Sequence, residues 1–407
     1  MPLIHLACLL AFVPLGPVGP PRSAKLSVEN FASGQEVRFP VLLLKGSCPG
    51  PAVQCENLDN RGPDGRNRVV GKDGRYRALI ELVPGQNMLR LSSGRDLTEL
   101  SVRYKPSQSR FKVNFIYVTP EDGDTSYITQ KDRDPQDYRD KIDTAAKLLQ
   151  TFTAESVSDA GYGRKTFTLD LDPRGRVRVQ TLRYPMSGGA LRAKTGQELF
   201  DMLYPWIEAR FPARENRNVV LMSFARYDPA TKRASAHTAW GGGSMGLFSS
   251  ITMCAWPSSI RDVERTFTDA APVDASRLYD DSNGRSVLWA LASTGMGAVL
   301  HELGHTFLGW FHSDDPESIM SRGFDHLNRA FVAWEPPSKA APEGVSFSPS
   351  QVARWDPYNA SYLACLRFFE PSDRQFLDTD PPRIEHDEAA DEIVVKAPHG
   401  IRLIHLW

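Results

Sequence analysis

The segment GMGAVLHELGHTFLG, residues 295–309, restricts the chain more than any other. Its apolar spacing is helical, a turn-rich stretch (Asp280, Asp281, Ser282, Asn283, Gly284) precedes it, and Gly309 stands where a helix would stop. Ala298, Val299, Leu300 and Leu303 make it apolar nearly all round, which predicts a helix inside a core rather than on a surface. Polar side chains on such a helix need partners. His301, Glu302 and His305 are the ones that do.

His301 and His305 lie one helical turn apart on the same side, and at about 1.5 Å rise per residue their rings can share one tetrahedral ion. Glu302 sits roughly a quarter turn round, out of the ligand shell but able to reach a water beside the ion, the position of a general base. A third ligand is needed if a fourth position is to stay open for water. His312 is the first choice, because a glycine at 309 can turn the chain back beneath the first two histidines. Asp314, Asp315 and His326 are its rivals. Met320, in the short segment Ser318, Ile319, Met320, Ser321, reads on its own as core packing.

The remaining sequence sets the frame. A length of 407 residues suggests roughly two or three domains. With 48 basic against 49 acidic residues the chain lacks the positive footprint that nucleic acid requires. The run LIHLACLLAFVPL at residues 3–15 has the shape of a secretory h-region and is too short to span a bilayer. Residues 1–24 are therefore read as a signal peptide, which makes the protein secreted or extracytoplasmic. No Lys or Arg precedes the run, and if it is instead a buried strand the protein is cytoplasmic. Cys48 and Cys55 flank a Pro-Gly-Pro loop and are open to two readings, a small disulfide or two free thiols. Asn359-Ala360-Ser361 is a glycosylation sequon if the host uses it.

Residues 25–106 alternate apolar and polar positions between glycine-containing turns, as in LSVENF, VRFPVLLL, YRALIELV, NMLRLSS and LTELSVRY, and predict a small β-sandwich. Residues 74–91 read there as two strands joined by a turn, as is frequent in Ig-like modules. From residue 110 strands and helices are mixed: FKVNFIYV as a buried strand, a helix over 135–158, a hairpin joining FTLDLD to VRVQTL, a helix over 197–211, and NVVLMSFARY as an inner strand. Residues 336–407 form a C-terminal extension with one helix, over 351–366, and a β-rich tail.

His301, Glu302 and His305, then a glycine and His312, then Ile319-Met320, are similar to the metzincin plan, in which a long zinc-binding motif is followed by a methionine-containing turn. The likeness extends to Phe152-Thr153-Ala154-Glu155, Arg164-Lys165-Thr166-Phe167, Trp256-Pro257, residues 297–305, Ile319 to Phe324 and Asn328-Arg329-Ala330-Phe331. Together they resemble the family of putative zinc metallopeptidases best represented in fungi. The resemblance covers roughly residues 110–335 and the β-rich segment before them. It implies an α+β fold with a metzincin-like mixed α/β catalytic domain at 110–335 and a preceding sandwich of Ig-like kind. It also implies one zinc ion on His301, His305 and His312, Glu302 as catalytic base and Met320 in the turn beneath the metal. The family pattern has two residues between the second histidine and the glycine, whereas Thr306, Phe307 and Leu308 intervene here, so His312 falls one position late. In metzincin-like enzymes an edge strand pairs with extended substrate. Residues 236–244 (AHTAWGGGS) are the candidate, with a flexible glycine loop as the alternative and His237 as a possible participant.

The expected activity is zinc-dependent hydrolysis of peptide bonds in a protein or peptide substrate, with neither nucleic acid nor a membrane span involved. Two other expectations compete with it. One is a zinc-binding recognition protein that has lost turnover, with the sandwich supplying recognition. The other is a zinc amidase acting on a non-peptide amide.

Overall fold

The computed structural model describes residues 25–372, 382–388, 390–398, 400–401 and 403–404. The proposed signal segment lies outside these. No helix among the described residues is long and apolar enough to cross a membrane.

The N-terminal part contains β1 (Gln35–Val37), β2 (Val41–Ser47), β3 (Ala52–Asn57), β4 (Arg66–Val70), β5 (Arg75–Glu81), β6 (Gly85–Ser93) and β7 (Asp96–Tyr104). Five of them form a sheet in the order β1-β7-β6-β3-β4, and β2 pairs with β5 separately. Alternation along β6 and β7 turns Leu89, Leu91, Leu100 and Val102 inward, where they meet Leu42, Leu44, Ala78 and Ile80 from the β2-β5 pair. The other face of that pair is buried too: Val41, Leu43 and Leu79 join the core beneath the next helix. Burial on both faces is why β2 reads VLLL without alternation. Consecutive β5 and β6 do not pair with each other, because the turn at 82–84 carries the chain from one sheet to the other. LSVENF, expected as a strand, is not one: the Ser27 and Glu29 amides donate to the Ser47 and Lys45 carbonyls, and Asn30 adds side-chain bonds to Leu43 and Lys45. Cys48 and Cys55 are buried free thiols.

The second part contributes β8 (Lys112–Thr119), α1 (Tyr138–Asp159), β9 (Thr168–Leu169), β10 (Gln180–Arg183), α2 (Gly188–Arg192), α3 (Gly196–Glu208), β11 (Asn216–Met222), the small pair β12 (Arg226–Asp228) and β13 (Arg233–Ser235), β14 (Trp240–Gly242), β15 (Met245–Ser249), α4 (Val263–Phe267), α5 (Leu288–Leu308) and α6 (Pro357–Cys365). Their main sheet runs β10-β8-β11-β15-β14. All its pairings are parallel except the last, where β14 returns antiparallel to β15 and forms the edge. Leu199, Leu203 and Ile207 of α3 cover one face, against Ile116, Val220 and Leu247. Helices α1 and α5 cover the other, against Val113, Phe115, Val219 and Leu221. The architecture is mixed α+β.

One expectation for this part needs correction. The hairpin over residues 167–182 reduces to a single antiparallel bridge, Leu171 to Val177, while β9 and β10 both pair in parallel with β8. Pairing with β8 buries Thr168 and Leu169 of β9, while β10 stays partly exposed. In the segment after 336, Trp355, Leu363 and Phe368 belong to the same core as α1 and α5. The hairpin β16 (Arg383–Asp387) and β17 (Glu392–Lys396) is largely exposed.

Candidate metal centre

Helix α5 has 20 of its 21 residues buried. It ends where Gly309 takes φ +70°, a left-handed value that favours glycine, and donates its amide to the His305 carbonyl. The additional residue among Thr306, Phe307 and Leu308 is absorbed by letting the helix run to Leu308 before that turn. The chain then brings His312 round, and its ring nitrogen joins those of His301 and His305 with all three within 4.8 Å of one another. Its rivals lie elsewhere: Asp315 makes a paired contact with Arg354 at 2.8 and 2.9 Å, His326 faces Glu335 at 3.5 Å, and Asp314 is exposed.

The hydrogen bonds decide the chemistry of the first two rings. His301 Nδ1 lies 2.7 Å from the Ile319 carbonyl oxygen and His305 Nδ1 lies 2.8 Å from that of Gly309. Carbonyl oxygens only accept, so each Nδ1 carries the proton and donates. Each Nε2 is thereby left with a lone pair, and the two Nε2 atoms face one another at 3.1 Å. Two such lone pairs repel unless an electrophile lies between them. Burial pushes the His301 pKa down to about 4, with His305, His312 and Arg322 adding to the effect, and burial lowers His305 as well, so a proton is not that electrophile near neutral pH. A metal cation is. Two zinc–nitrogen bonds of about 2.0–2.1 Å at a tetrahedral angle span about 3.3 Å, close to the separation seen, and neutral imidazoles are the donor type zinc takes.

Burial raises the Glu302 carboxyl to about 8, and a cation held by the histidines would lower it again. Glu302 lies against the edge strand. A Cβ built on Gly241 would come 2.4 Å from the Glu302 carbonyl oxygen and 2.9 Å from its carboxylate Oε2, and one on Gly246 would come 2.8 Å from the Glu302 backbone. Glycine at both places lets β14 and β15 press onto α5. The two-residue turn at Gly243-Ser244 closes on the bonded pair Gly242 and Met245, so Gly241 opposite Gly246 is a non-bonded pair. The Gly241 amide and carbonyl therefore point outward from the sheet edge, beside Glu302.

The family model described as a putative peptidase family, Metallopep, matches residues 25–397. The chain belongs to this family. Its relatives include a putative zinc metalloproteinase of Schizosaccharomyces pombe, 30% identical over 341 residues, covering 77% of this chain and 54% of the relative. Another, from Saccharomyces cerevisiae, is 23% identical over 343 residues, covering 73% and 49%. The chain thus spans about half the length of the curated relatives it matches. Among solved structures, catalytically inactive OgpA from Akkermansia muciniphila, in complex with an O-glycopeptide substrate, superposes with a TM-score of 0.43 at 16% identity, over 70% of this chain and 68% of that one. Wild-type OgpA gives 0.41 at 15%.

Within this family member, the support around the three histidines comes from a segment that sequence reasoning treated as an extension. Ile319, whose carbonyl receives His301, is itself held by its amide donating to the Arg354 carbonyl at 2.8 Å. Ser318 donates to Asp356, which also caps α6. Met320 is fully buried, with its sulfur packed against Gly304 of α5. His237 is elsewhere: its nitrogens contact Ser249 Oγ at 2.7 Å and Asp281 at 3.2 Å, outside the histidine group. The Asp356-Pro357 pair was a legible helix start; the carbonyls of Ile319 and Gly309 carry no side-chain signal and had none to give.

Proposed function

We propose that this chain is a zinc-dependent endopeptidase in which His301, His305 and His312 hold one zinc ion and Glu302 is the catalytic base. The observation that carries the reading is the pair of Nε2 lone pairs converging at 3.1 Å, beside a buried carboxyl and the free edge of β14. When bound, zinc supplies a Lewis acid that polarises a carbonyl and lowers the pKa of water.

The residues of the chain do the rest. The Ile319 and Gly309 carbonyls orient the two rings and fix their tautomers. Gly241 offers an outward amide and carbonyl to an extended peptide, which places the scissile bond alongside Glu302. The Glu302 carboxylate takes a proton from the attacking water and delivers it to the leaving amine nitrogen as the C–N bond breaks. Met320 underlies the site as the methionine of the turn. His312 is exposed, so the site opens to solvent on that side, which favours a polymeric substrate over a small enclosed amide.

The same reading takes the second part, 110–335, as a metzincin-like catalytic domain, residues 25–106 as an Ig-like sandwich, 336–407 as an extension and residues 1–24 as a secretion signal. Cleavage of a denatured protein or a quenched fluorogenic peptide, blocked by a chelator, is the expected activity. Glu302→Gln should lower it by at least about 100-fold, the usual contribution of a positioned base. Undiminished turnover in that variant would remove Glu302 from the mechanism.

A further inference from the structure

Trp310 is 73% exposed, although it directly follows the glycine that ends α5. Large aromatic surface left open beside a reactive centre marks a place where something docks. The Trp310 ring lies 6.4 Å from the His305 ring. It also reaches the edge strand: a Cβ on Gly242 would lie 3.6 Å from the Trp310 indole and 4.0 Å from Phe200. Phe200 stacks on Tyr204 at 5.6 Å and stands 6.3 Å from Trp240. These three rings are half-buried. Rings from α3, from β14 and from the loop after α5 thus meet where Gly242 presents only hydrogen.

The two faces of β14 differ in chemistry. Gly241 faces α5, with Glu302 and His305, while Gly242 faces the aromatic rings. A peptide paired along this edge alternates its side chains between the same two faces. The turn's own hydroxyl, Ser244 Oγ, is engaged with Glu208 at 2.5 Å, and the Tyr204 hydroxyl lies against Gly243 rather than Gly242. At Gly242 the wall therefore offers ring carbons and selects by apolar contact.

We infer that Trp310, with Phe200 and Trp240, forms a side-chain subsite that selects substrates carrying a bulky aromatic residue close to the scissile bond. This rests on the peptidase reading above and specifies its substrate class. The aromatic rings exclude water from that side chain and fix the register of the peptide on Gly241, so Trp310 acts as a specificity-determining residue.

The test uses the full chain and two fluorogenic peptides that differ by phenylalanine or alanine at one position, moved in turn through the residues flanking the cleaved bond. At one position the parent should favour phenylalanine by at least about tenfold in kcat/KM, the scale on which apolar subsites discriminate. Trp310→Ala should collapse that ratio towards unity, and Trp310→Phe should restore most of it. An equal proportional loss on both peptides would overturn the subsite, as would a parent preference for lysine over phenylalanine, which would mean cation–π selection instead. Binding of the phenylalanine peptide to Glu302→Gln, followed by fluorescence anisotropy with and without Trp310→Ala, gives a readout independent of turnover. Weaker binding on loss of Trp310 supports the subsite even if no peptide is cleaved, an outcome that would count against the peptidase reading alone. Unchanged binding overturns the subsite.

Discussion

Replacing Gly241 by alanine tests how closely the edge strand must approach helix α5. The new Cβ would stand 2.4 Å from the Glu302 carbonyl oxygen and 2.7 Å from His305 Cβ, where ordinary contact begins at 3.4 Å. The first of these atoms is helix backbone inside a core and does not yield, so β14 has to retreat by about 1 Å. Overpacking of this kind costs about 1–3 kcal/mol of stability. A shift of about 1 Å in a substrate-positioning element costs on the order of 100-fold in rate. Gly242→Ala is the internal control, because its Cβ meets only ordinary contacts at 3.6–4.0 Å with Trp310 and Phe200. The assay is kcat/KM on a fluorogenic peptide, with thermal midpoints for both variants. Gly241→Ala should lose about 100-fold and Gly242→Ala under about tenfold. Equal losses in the two variants, or full activity in Gly241→Ala, would refute the account of strand approach.

Further predictions concern the buried charges. Lys147 on α1 reaches Glu81 on β5 at 2.8 Å and Asp143 at 3.2 Å, with its side chain only 4% exposed. Lys147→Ala leaves Glu81 without this cation and Asp143 with only Arg176 at 3.7 Å, and should cost about 3 kcal/mol in urea unfolding, in one transition for the N-terminal and second parts together; two separate transitions would show that the N-terminal part is an independent module. Burial alone would raise the Glu335 carboxyl, but the His326 ring at 3.5 Å and Arg329 at 2.9 Å hold it down to about 2. A depressed carboxylate stabilises the fold above its unfolded pKa of 4.5, and that stability is lost as pH falls from there towards 2. The expected fall is on the order of 3 kcal/mol across that window, and Glu335→Gln should remove this dependence in unfolding measured at stepped pH. A variant that keeps the parental acid slope would contradict it.

How far the sequence carries depends on whether a feature is local. The helix α5, the strands β8 and β11 and the helices α1 and α3 follow from periodicity, because each buries a face whose pattern is written in its own residues. Pairing partners are not local. Strands β3 and β4 went unread because AVQCEN and RNRVV mix polar with apolar residues. The hairpin over 167–182 was misread because its real partner, β8, lies more than fifty residues earlier. The proline-rich composition after 336 reads as an extension, yet the Arg354 carbonyl receives the Ile319 amide, and no local pattern announces that. At the site, the spacing of His301, Glu302 and His305 was sufficient to place them. The place of His312 depended on one backbone angle at Gly309, which spacing alone does not determine.

The account stands or falls on the three histidines. Zinc titrated into metal-free protein, followed by competition with a chelator, should reach one ion per chain, and His312→Ala should weaken binding by at least about 100-fold, more than the loss of a supporting partner costs. Zinc that fails to bind the parent, or binds His312→Ala as tightly as the parent, would contradict the proposed centre.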